Sequence, residues 1–255
     1  TAQKNGWVWD IGLQHRRGVG HVFSKAFQSH EETLQVLDQY LKETGRSKGL
    51  EDLNPRLLSF DPGYRKKFWV KNCLGIGLSA GFIEPLEASA LVLVELSATA
   101  LANQMPRDLS DMTVIADRFN REFEARWSQI IDFLKLHYVL SKRDDSAYWT
   151  HNRAPSSIPD TLQENLIVWA NRAPWYHDDL RRDEMFPAAS YQYVLYGMGF
   201  ESRLTFDALR SSEDKQSMAK QLFAETQKKA QKYGQFLPPT RFLMNQIREQ
   251  DFARI

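Results

Sequence analysis

Residues 71–95 read K-N-C-L-G-I-G-L-S-A-G-F-I-E-P-L-E-A-S-A-L-V-L-V-E, and this stretch decides the fold. The apolar run of residues 68–76 leads into it and is typical of a short buried strand. Three glycines then interrupt the run, and after Pro85 the apolar residues recur with helical spacing. The stretch therefore predicts a strand, a glycine turn and a mostly buried helix that begins at Pro85 and ends near residue 105.

The glycine turn has two interpretations on spacing alone. A glycine turn that leads into a helix allows backbone N–H groups to approach an anion or a cofactor. The spacing of Gly75, Gly77 and Gly81 is one residue too long for the dinucleotide-binding fingerprint, and no acidic residue follows at the expected place. A tight strand–helix crossing, with glycines for packing, therefore stays open.

A second stretch, residues 6–24, predicts a β-hairpin. Trp7, Trp9 and Ile11 recur at every second position, which is the period of a half-buried strand. The glycine-containing segment 16–20 supplies the turn, and residues 21–24 return along the first strand. On this pattern alone the tryptophans are core residues of a two-stranded ribbon.

Both stretches are similar to one enzyme family. The segment N-C-L-G-I-G-L-S-A-G-F-I-E-P-L-E-A-S resembles the part of flavin-dependent, tryptophan-type halogenases that runs beside the flavin ring. The segment G-W-V-W-D-I-G, residues 6–12, resembles the W-x-W-x-I-P signature of the same family. The two matches occur in the right order at about the right separation. The resemblance extends, with decreasing clarity, from Thr1 to roughly Leu243.

The resemblance implies an α+β fold, namely the C-terminal half of a flavin monooxygenase-like fold. A few strands and hairpins are followed by a mostly helical subdomain. Residues 1–105 are expected to complete the flavin and substrate region, and residues 106–255 to form the helical subdomain. The N-terminal FAD-binding half, which carries the family's catalytic lysine, is expected in a longer protein, because the chain begins at Thr1.

The resemblance also implies a catalytic residue and a halide site. Glu87 matches the last acid of the family's E-P-L-E segment, which places the substrate and helps to remove its ring proton. Ser89 and Ala90 match the positions whose backbone N–H groups bind the halide. The family typically has Ser-Thr-Gly where this chain has Ala88-Ser89-Ala90, but a backbone site tolerates a change of side chain.

Two further groups of residues are carried over by position. Leu78 and Leu91 match residues that contact FAD. The active-site signature comprises Trp7, Trp9 and Ile11.

The implied function is the addition of chloride or bromide to an electron-rich aromatic ring, such as an indole. Reduced FAD (FADH2), supplied by a separate flavin reductase, and oxygen would convert the halide ion into hypohalous acid. Glu87 would then accept the ring proton, and general-base assistance of this kind is usually worth about 10²–10⁴-fold. The expected partners are the aromatic substrate and the transiently bound reductase, and a homodimer stays open.

Composition argues against several other functions. The net charge of +1 gives no basis for nucleic-acid binding, and no apolar run of 18 residues is present to span a membrane. The single cysteine, Cys73, excludes an internal disulfide framework and is typical of a cytoplasmic protein. The six histidines form no metal-binding motif, so no metal site is expected.

The remaining apolar patterns predict further elements and one ambiguity. Strands are expected on both sides of a turn at residues 61–64, and helices over residues 31–43, 110–140, 158–171, 187–197 and 213–232. Two aromatic pairs belong either to the core or to an aromatic substrate pocket: Tyr148 with Trp149, and Trp175 with Tyr176.

Two other functions remain open. Gly12 replaces the proline of the signature and loosens a position that proline would stiffen, which leaves a flavin-dependent aromatic monooxygenase open. The second open function is a non-catalytic helical binding module derived from such an enzyme. The segment 190–193 differs from that expected of a dedicated free-tryptophan site, so another indole or a phenol is an equal candidate for the substrate.

Overall fold

The computed structural model describes residues 1–13, 15–175, 178, 185–203 and 213–249. The chain divides into two compact units, Thr1–Ser202 and Arg203–Ile255. The predicted α+β class is confirmed, because short strands dominate the first part of the chain and helices the rest. The division predicted at residue 105 stays a prediction about the longer protein.

The described strands form three small antiparallel sheets. The first has the order β1 (Ala2–Gln3), β2 (Gly6–Gly12) and β3 (Arg17–Phe23). The other two pair β4 (Gly63–Tyr64) with β7 (Gly81–Phe82), and β5 (Trp69–Val70) with β6 (Cys73–Leu74).

The helices account for most of the regular structure. Those of the first unit are α1 (His30–Glu43), α2 (Ala90–Asn103), α3 (Leu109–Val139), α4 (Ala147–Arg153), α5 (Asp160–Trp169) and α6 (Ala188–Gly197). Those of the second unit are α7 (Glu213–Phe236) and α8 (Thr240–Glu249). No helix in the described part of the chain has the length and apolar character needed to cross a membrane.

The predicted hairpin of residues 6–24 is confirmed, but its turn lies elsewhere. Arg17 begins β3 instead of forming the turn, and the N–H of Leu13 donates to the carbonyl oxygen of Arg16 at 2.8 Å. Trp9 lies opposite Gly20, and a Cβ atom added to Gly20 would come within 2.3 Å of the Trp9 ring. The glycine is therefore needed because the indole lies against the β3 backbone.

The strand predicted over residues 68–76 is instead two short strands, β5 and β6. Lys71 has a left-handed backbone with φ of 55°, which turns the chain so that β6 folds back on β5. Asn120 of α3 holds the first of these strands, because its Oδ1 accepts from the N–H groups of Phe68 and Trp69 at 2.7 and 2.8 Å. Residues 57–60, also predicted as a strand, are exposed and irregular.

The predicted start of α2 at Pro85 is also wrong, because the helix begins five residues later at Ala90. Two tight turns replace its first turn: the N–H of Leu86 bonds to the oxygen of Glu84 at 3.0 Å, and that of Ser89 to the oxygen of Glu87 at 2.8 Å. The E-P-L-E segment is therefore an irregular turn whose acidic side chains point to other elements.

Helix α3 is the element on which the first unit is built. Asp108 caps it by accepting from the N–H of Ser110 at 2.7 Å. Its buried side chains enter three separate core clusters, through Phe123 in the first, Tyr138 in the second and Leu136 in the third. Such a long apolar stripe fixes the positions of everything packed around it.

Helix α2, predicted to be mostly buried, is largely exposed. Only Leu93 and Ser97 of this helix are buried. Leu91, Val92 and Val94 are exposed although the helix is apolar on nearly every side. A helix of this composition is normally covered by other parts of a protein.

Candidate active site

One small cavity of about 240 Å³ brings together the residues assigned to chemistry and cofactor binding. Its walls are mostly apolar and include Phe68, Phe123 and Trp127 from the first core cluster. Five of the predicted site residues line it: Leu78, Glu87, Ser89, Ala90 and Leu91. An apolar cavity with a few polar groups is the usual form of a small-molecule site.

Glu87 lies beside a histidine of the central helix. Its Oε1 is 3.5 Å from Nε2 of His137, and its side chain is 38% exposed. The Nδ1 atom of His137 lies 2.8 Å from the carbonyl oxygen of Phe133, one turn earlier in α3. Because a carbonyl oxygen can only accept, Nδ1 carries a hydrogen and Nε2 is the atom that faces Glu87.

The two halide candidates lie at the beginning of α2. Ala90 is the first helical residue, so its N–H group has no partner within the helix and lies at the positive end of the helix dipole. The N–H of Ser89, in contrast, donates to the carbonyl oxygen of Glu87. An anion at both nitrogens therefore requires the turn of residues 87–89 to release that hydrogen bond.

The two predicted FAD contacts form an apolar wall at the edge of the cavity. Leu78 is 79% exposed and Leu91 is 82% exposed. Gly77, beside them, has φ of +63°, a conformation that favours glycine. Exposed apolar side chains next to a glycine form a surface on which a planar ring system can pack. The residues present therefore fit a flavin.

The signature tryptophan Trp7 is linked to the E-P-L-E turn through one tyrosine. Its Nε1 donates to Oη of Tyr138 at 3.1 Å, and the Tyr138 hydroxyl donates to Oε1 of Glu84 at 2.5 Å. The hydroxyl of Tyr148 also donates to Oη of Tyr138, at 3.3 Å. The Tyr138 oxygen thus accepts two hydrogen bonds and donates one, which uses its full capacity.

Burial dominates the electrostatics of this network. Burial raises the pKa of Glu84, although the hydrogen bond from Tyr138 and the charge of Lys135 oppose the shift. Burial likewise raises the pKa of Tyr138 far above its usual range, and that of Tyr148 to about 12. It lowers the pKa of Lys135. Burial therefore favours the neutral forms of the two tyrosines and of the Glu84 carboxyl group.

None of the three signature residues Trp7, Trp9 and Ile11 lines the small cavity. Trp9 is half-buried and packs on the second core cluster, whereas Ile11 is 53% exposed at the far end of β2. The expected alternation places Ile11 on the inner face, but β2 runs out of the core beyond Trp9. Only Trp7, which is buried, connects this signature to the site.

A larger cavity of about 760 Å³ lies on the other side of Glu84. Tyr138, Tyr148 and His151 contribute to its walls, together with the irregular segment 57–60. Tyr148 thus belongs both to the core and to a cavity wall, so the two interpretations of its aromatic pair are not exclusive.

The second aromatic pair is only partly described. Trp175 lines a separate cavity of about 550 Å³, and Tyr176 lies outside the described residues. Within the described ranges, no group of three or more His, Cys, Asp or Glu side chains is placed to hold a metal ion.

Sequence reasoning missed the supporting residues Glu84, Asn120, His137 and Tyr138. One of them had a signal: Asn120 interrupts the apolar stripe of α3, and a polar residue at such a position is usually held by buried hydrogen bonds. His137 and Tyr138 follow each other near the end of α3, but nothing local shows that they meet the two acids of E-P-L-E.

The comparison with known sequences identifies one family. A sequence model described as Tryptophan halogenase matches residues 1–213. The tryptophan 6-halogenase ThaL of Streptomyces albogriseolus is 29% identical over 258 residues, which cover 96% of this chain and 47% of ThaL. The tryptophan 7-halogenase RebH of Lentzea aerocolonigenes is 28% identical, over 78% of this chain and 38% of RebH.

Solved structures agree with the sequences. The tryptophan halogenase from Shewanella frigidimarina superposes with a TM-score of 0.91 and 43% identity, covering 100% of this chain and 47% of that protein. BrvH, a flavin-dependent halogenase from Brevundimonas sp. BAL3, superposes with a TM-score of 0.78 and 29% identity, covering 96% of this chain and 47% of BrvH. This chain spans about half the length of the relatives it matches. It belongs to the tryptophan halogenase family.

Proposed function

We propose that this chain supplies the C-terminal half of a flavin-dependent halogenase that adds chloride or bromide to an electron-rich aromatic ring. The observation that carries the proposal is the single cavity shared by Glu87, Ser89, Ala90, Leu78 and Leu91. The family match assigned these five residues three different tasks, and they lie around one space. The exposed apolar face of α2 supports a longer protein that covers it.

The proposed flavin site is the wall formed by Leu78, Gly77 and Leu91. These residues would hold one face of the ring by apolar contact, and the open backbone at Gly77 would allow close approach. When bound, reduced flavin would activate molecular oxygen, which is the oxidant that converts halide into hypohalous acid while its second oxygen atom is reduced to water. The flavin would come from a separate reductase that binds transiently.

The proposed halide site is the start of α2. The N–H of Ala90 is available to an anion, and the helix dipole adds partial positive charge. Halide binding at Ser89 as well would replace the bond from its N–H to the oxygen of Glu87. The halide would therefore also act on the geometry of the catalytic turn.

Glu87 is proposed to orient the substrate and to accept the proton that leaves the ring when the halogen adds. Its carboxylate borders the apolar cavity and stays partly exposed, so it can reach a substrate. The halogen would be delivered by the lysine that the family carries in its N-terminal half. The proposed substrate class is an indole or another electron-rich ring, such as a phenol.

The test is a product assay on the full-length protein with reduced flavin, oxygen and an indole substrate, in the presence of chloride or bromide. We expect a halogenated product whose formation requires both halide and reductase. Hydroxylated product would instead identify an aromatic monooxygenase. Neither product nor flavin binding would identify a binding module. Omitting the halide is the matched control, because it removes one reactant without changing the protein.

A further inference from the structure

We propose that His137 is a positioning residue that acts through Glu87 and takes over the proton that Glu87 removes from the substrate ring. The inference rests on the proposed function, because Glu87 acts on the ring only in a halogenase. It deepens that function by giving the proton a route away from the apolar cavity.

The geometry of His137 leaves one nitrogen free to serve Glu87. The hydrogen on Nδ1 is committed to the carbonyl oxygen of Phe133 at 2.8 Å. The Phe133 ring also meets the imidazole edge-on, with ring centroids 5.2 Å apart. Both contacts come from one turn of the same helix, so the ring is held in a fixed orientation with Nε2 directed at Glu87.

The contact with Glu87 is favourable only when the pair holds a proton. A neutral imidazole with its hydrogen on Nδ1 has a lone pair at Nε2, and this lone pair repels those of an ionised carboxylate. If the pair holds one proton, a hydrogen bond forms, because either the carboxylic acid donates to Nε2 or the imidazolium donates to the carboxylate. The separation of 3.5 Å is long for a hydrogen bond, as is common in catalytic sites that lack substrate.

The proton transfer proceeds in two steps without a redox change. First, the C–H bond of the halogenated ring breaks, its electron pair restores the aromatic ring, and the proton forms an O–H bond on Glu87. Second, that O–H bond breaks as an N–H bond forms on Nε2 of His137. The His137 side chain is 23% exposed, so the imidazolium can release the proton to water. Glu87 is then ionised again for the next turnover.

The acids and bases around the pair support this route. Glu84, the other acid of the E-P-L-E turn, is occupied by the hydroxyl of Tyr138. Lys135, one turn earlier on the same helix, donates to Oδ1 of Asn152 at 3.1 Å. In the described part of the chain, His137 is therefore the base that Glu87 faces.

The first experiment replaces His137 in the full-length protein by two amides that cannot hold an extra proton. His137→Asn retains a donor at the position of Nδ1, and His137→Gln places an amide at the position of Nε2. We expect kcat for halogenation to fall about 10- to 100-fold in both, at or below the lower end of the range for a group that takes part in proton transfer, with little change in KM. His30→Asn, in helix α1, is the matched control and should keep the wild-type rate.

The second measurement separates proton transfer from a structural role. With a substrate deuterated at the halogenated position, the His137 variants should show a primary isotope effect larger than that of the wild type. Added imidazole should restore part of the rate in His137→Ala. Variants that halogenate at the wild-type rate, or that slow without an increased isotope effect and without imidazole rescue, would overturn the inference while the proposed function stands.

A third measurement does not depend on turnover. Nitrogen NMR of the His137 ring in the full-length protein should show the hydrogen of the neutral form on Nδ1. The Nε2 signal should shift in Glu87→Gln and remain unchanged in the control Glu95→Gln. A neutral ring with its hydrogen on Nε2, or an Nε2 signal insensitive to Glu87, would overturn the inference. Absence of any halogenated product from the wild type would overturn the proposed function and, with it, the transfer step.

Discussion

The indole nitrogen of Trp7 and the hydroxyl oxygen of Tyr138 are joined by a buried hydrogen bond of 3.1 Å, although 131 residues separate them in sequence. The same hydroxyl donates to Glu84, the first acid of E-P-L-E. The tryptophan signature near the N-terminus therefore reaches the E-P-L-E turn through helix α3. Leu86, between the two acids, packs against the cluster that contains Trp7 as well as against the main core cluster.

Removing the Tyr138 hydroxyl should destabilise the protein more than removing either neighbouring donor. Tyr138→Phe leaves both the Trp7 indole N–H and the Glu84 carboxyl without their partner, which should lower the unfolding free energy by about 1–3 kcal/mol. A double-mutant cycle with Trp7→Phe in denaturant unfolding should give a coupling of about 0.5–3 kcal/mol. Tyr148→Phe, which removes only the 3.3 Å bond, is the milder control. Additive effects of Trp7→Phe and Tyr138→Phe would contradict the link.

Replacing Glu87 by glutamine should abolish most halogenation and leave the fold intact. The amide has the size of the carboxyl group but cannot accept the ring proton, and loss of a general base usually costs about 10²–10⁴-fold. Turnover of the full-length variant, with flavin binding measured in parallel, checks this. Glu95→Gln, an exposed acid on α2, is the matched control. Turnover within about threefold of the wild type would remove Glu87 from the mechanism, since a working base contributes far more.

The buried Glu84 carboxyl should make stability fall as the pH rises. Its pKa in the folded protein is raised above the ordinary value of 4.5, so the unfolded chain loses this proton at a lower pH than the folded one. Stability is therefore lost as the pH increases from 4.5 through the higher folded pKa. Glu84→Gln removes this loss and still offers an oxygen to Tyr138.

The measurement for Glu84 is the unfolding free energy of wild type and Glu84→Gln at about pH 4.5, the ordinary pKa, and at about pH 8. The variant should gain stability relative to the wild type as the pH rises, whereas Glu95→Gln should not. A constant difference between wild type and Glu84→Gln at both pH values would show that Glu84 titrates normally.

Halide affinity should depend on the backbone of α2 rather than on its side chains. Ser89→Ala should change bromide affinity little, whereas Ala90→Pro should weaken it strongly by removing one donor N–H. Proline suits the first position of a helix, but Ser89 before it has an αR backbone (φ −80°, ψ −11°), which a following proline disfavours. The fold of this variant is therefore checked by circular dichroism before halide binding is measured. Val92→Pro, which removes another first-turn N–H, is the control.

The position of the halide can be observed directly by its anomalous signal in crystals of the flavin-bound, full-length protein soaked in bromide. We expect a peak within hydrogen-bond distance of the Ala90 nitrogen, accompanied by a longer distance between the nitrogen of Ser89 and the oxygen of Glu87. A bromide peak elsewhere, with none at these nitrogens, would refute this site.

The exposed side chains of Leu78 and Leu91 should make the isolated chain bind hydrophobic molecules. Expressed alone, residues 1–255 should bind a hydrophobic dye, because Leu78 and Leu91 are left open to water. The double change Leu78→Gln and Leu91→Gln should reduce dye binding by the isolated chain but weaken flavin binding by the full-length protein. Leu109→Gln, at a residue of similar exposure, should leave flavin binding unchanged. Equal flavin affinity in both variants would remove the two leucines from the flavin site.

Local sequence was sufficient wherever the physical cause is local. The helix over residues 31–43 was predicted closely, because Ser29 and Glu32 form a capping box and the apolar residues repeat on one face. The long α3 followed from its stripe of apolar residues, and the hairpin of residues 6–24 from alternation. The family motif in residues 71–95 identified five residues that line the cavity, because a backbone turn and its neighbours lie close together in sequence.

Tertiary contacts decided what the sequence pattern could not. E-P-L-E looks like a helix start, since proline and acids favour one, but the carboxyl groups of Glu84 and Glu87 are directed instead to Tyr138 and His137. Asn120 similarly accepts hydrogen bonds from the backbone N–H groups of Phe68 and Trp69. Each of these contacts joins residues at least 50 positions apart. The free energy of such pairs depends on packing that only the folded chain creates, so no local propensity could reveal them.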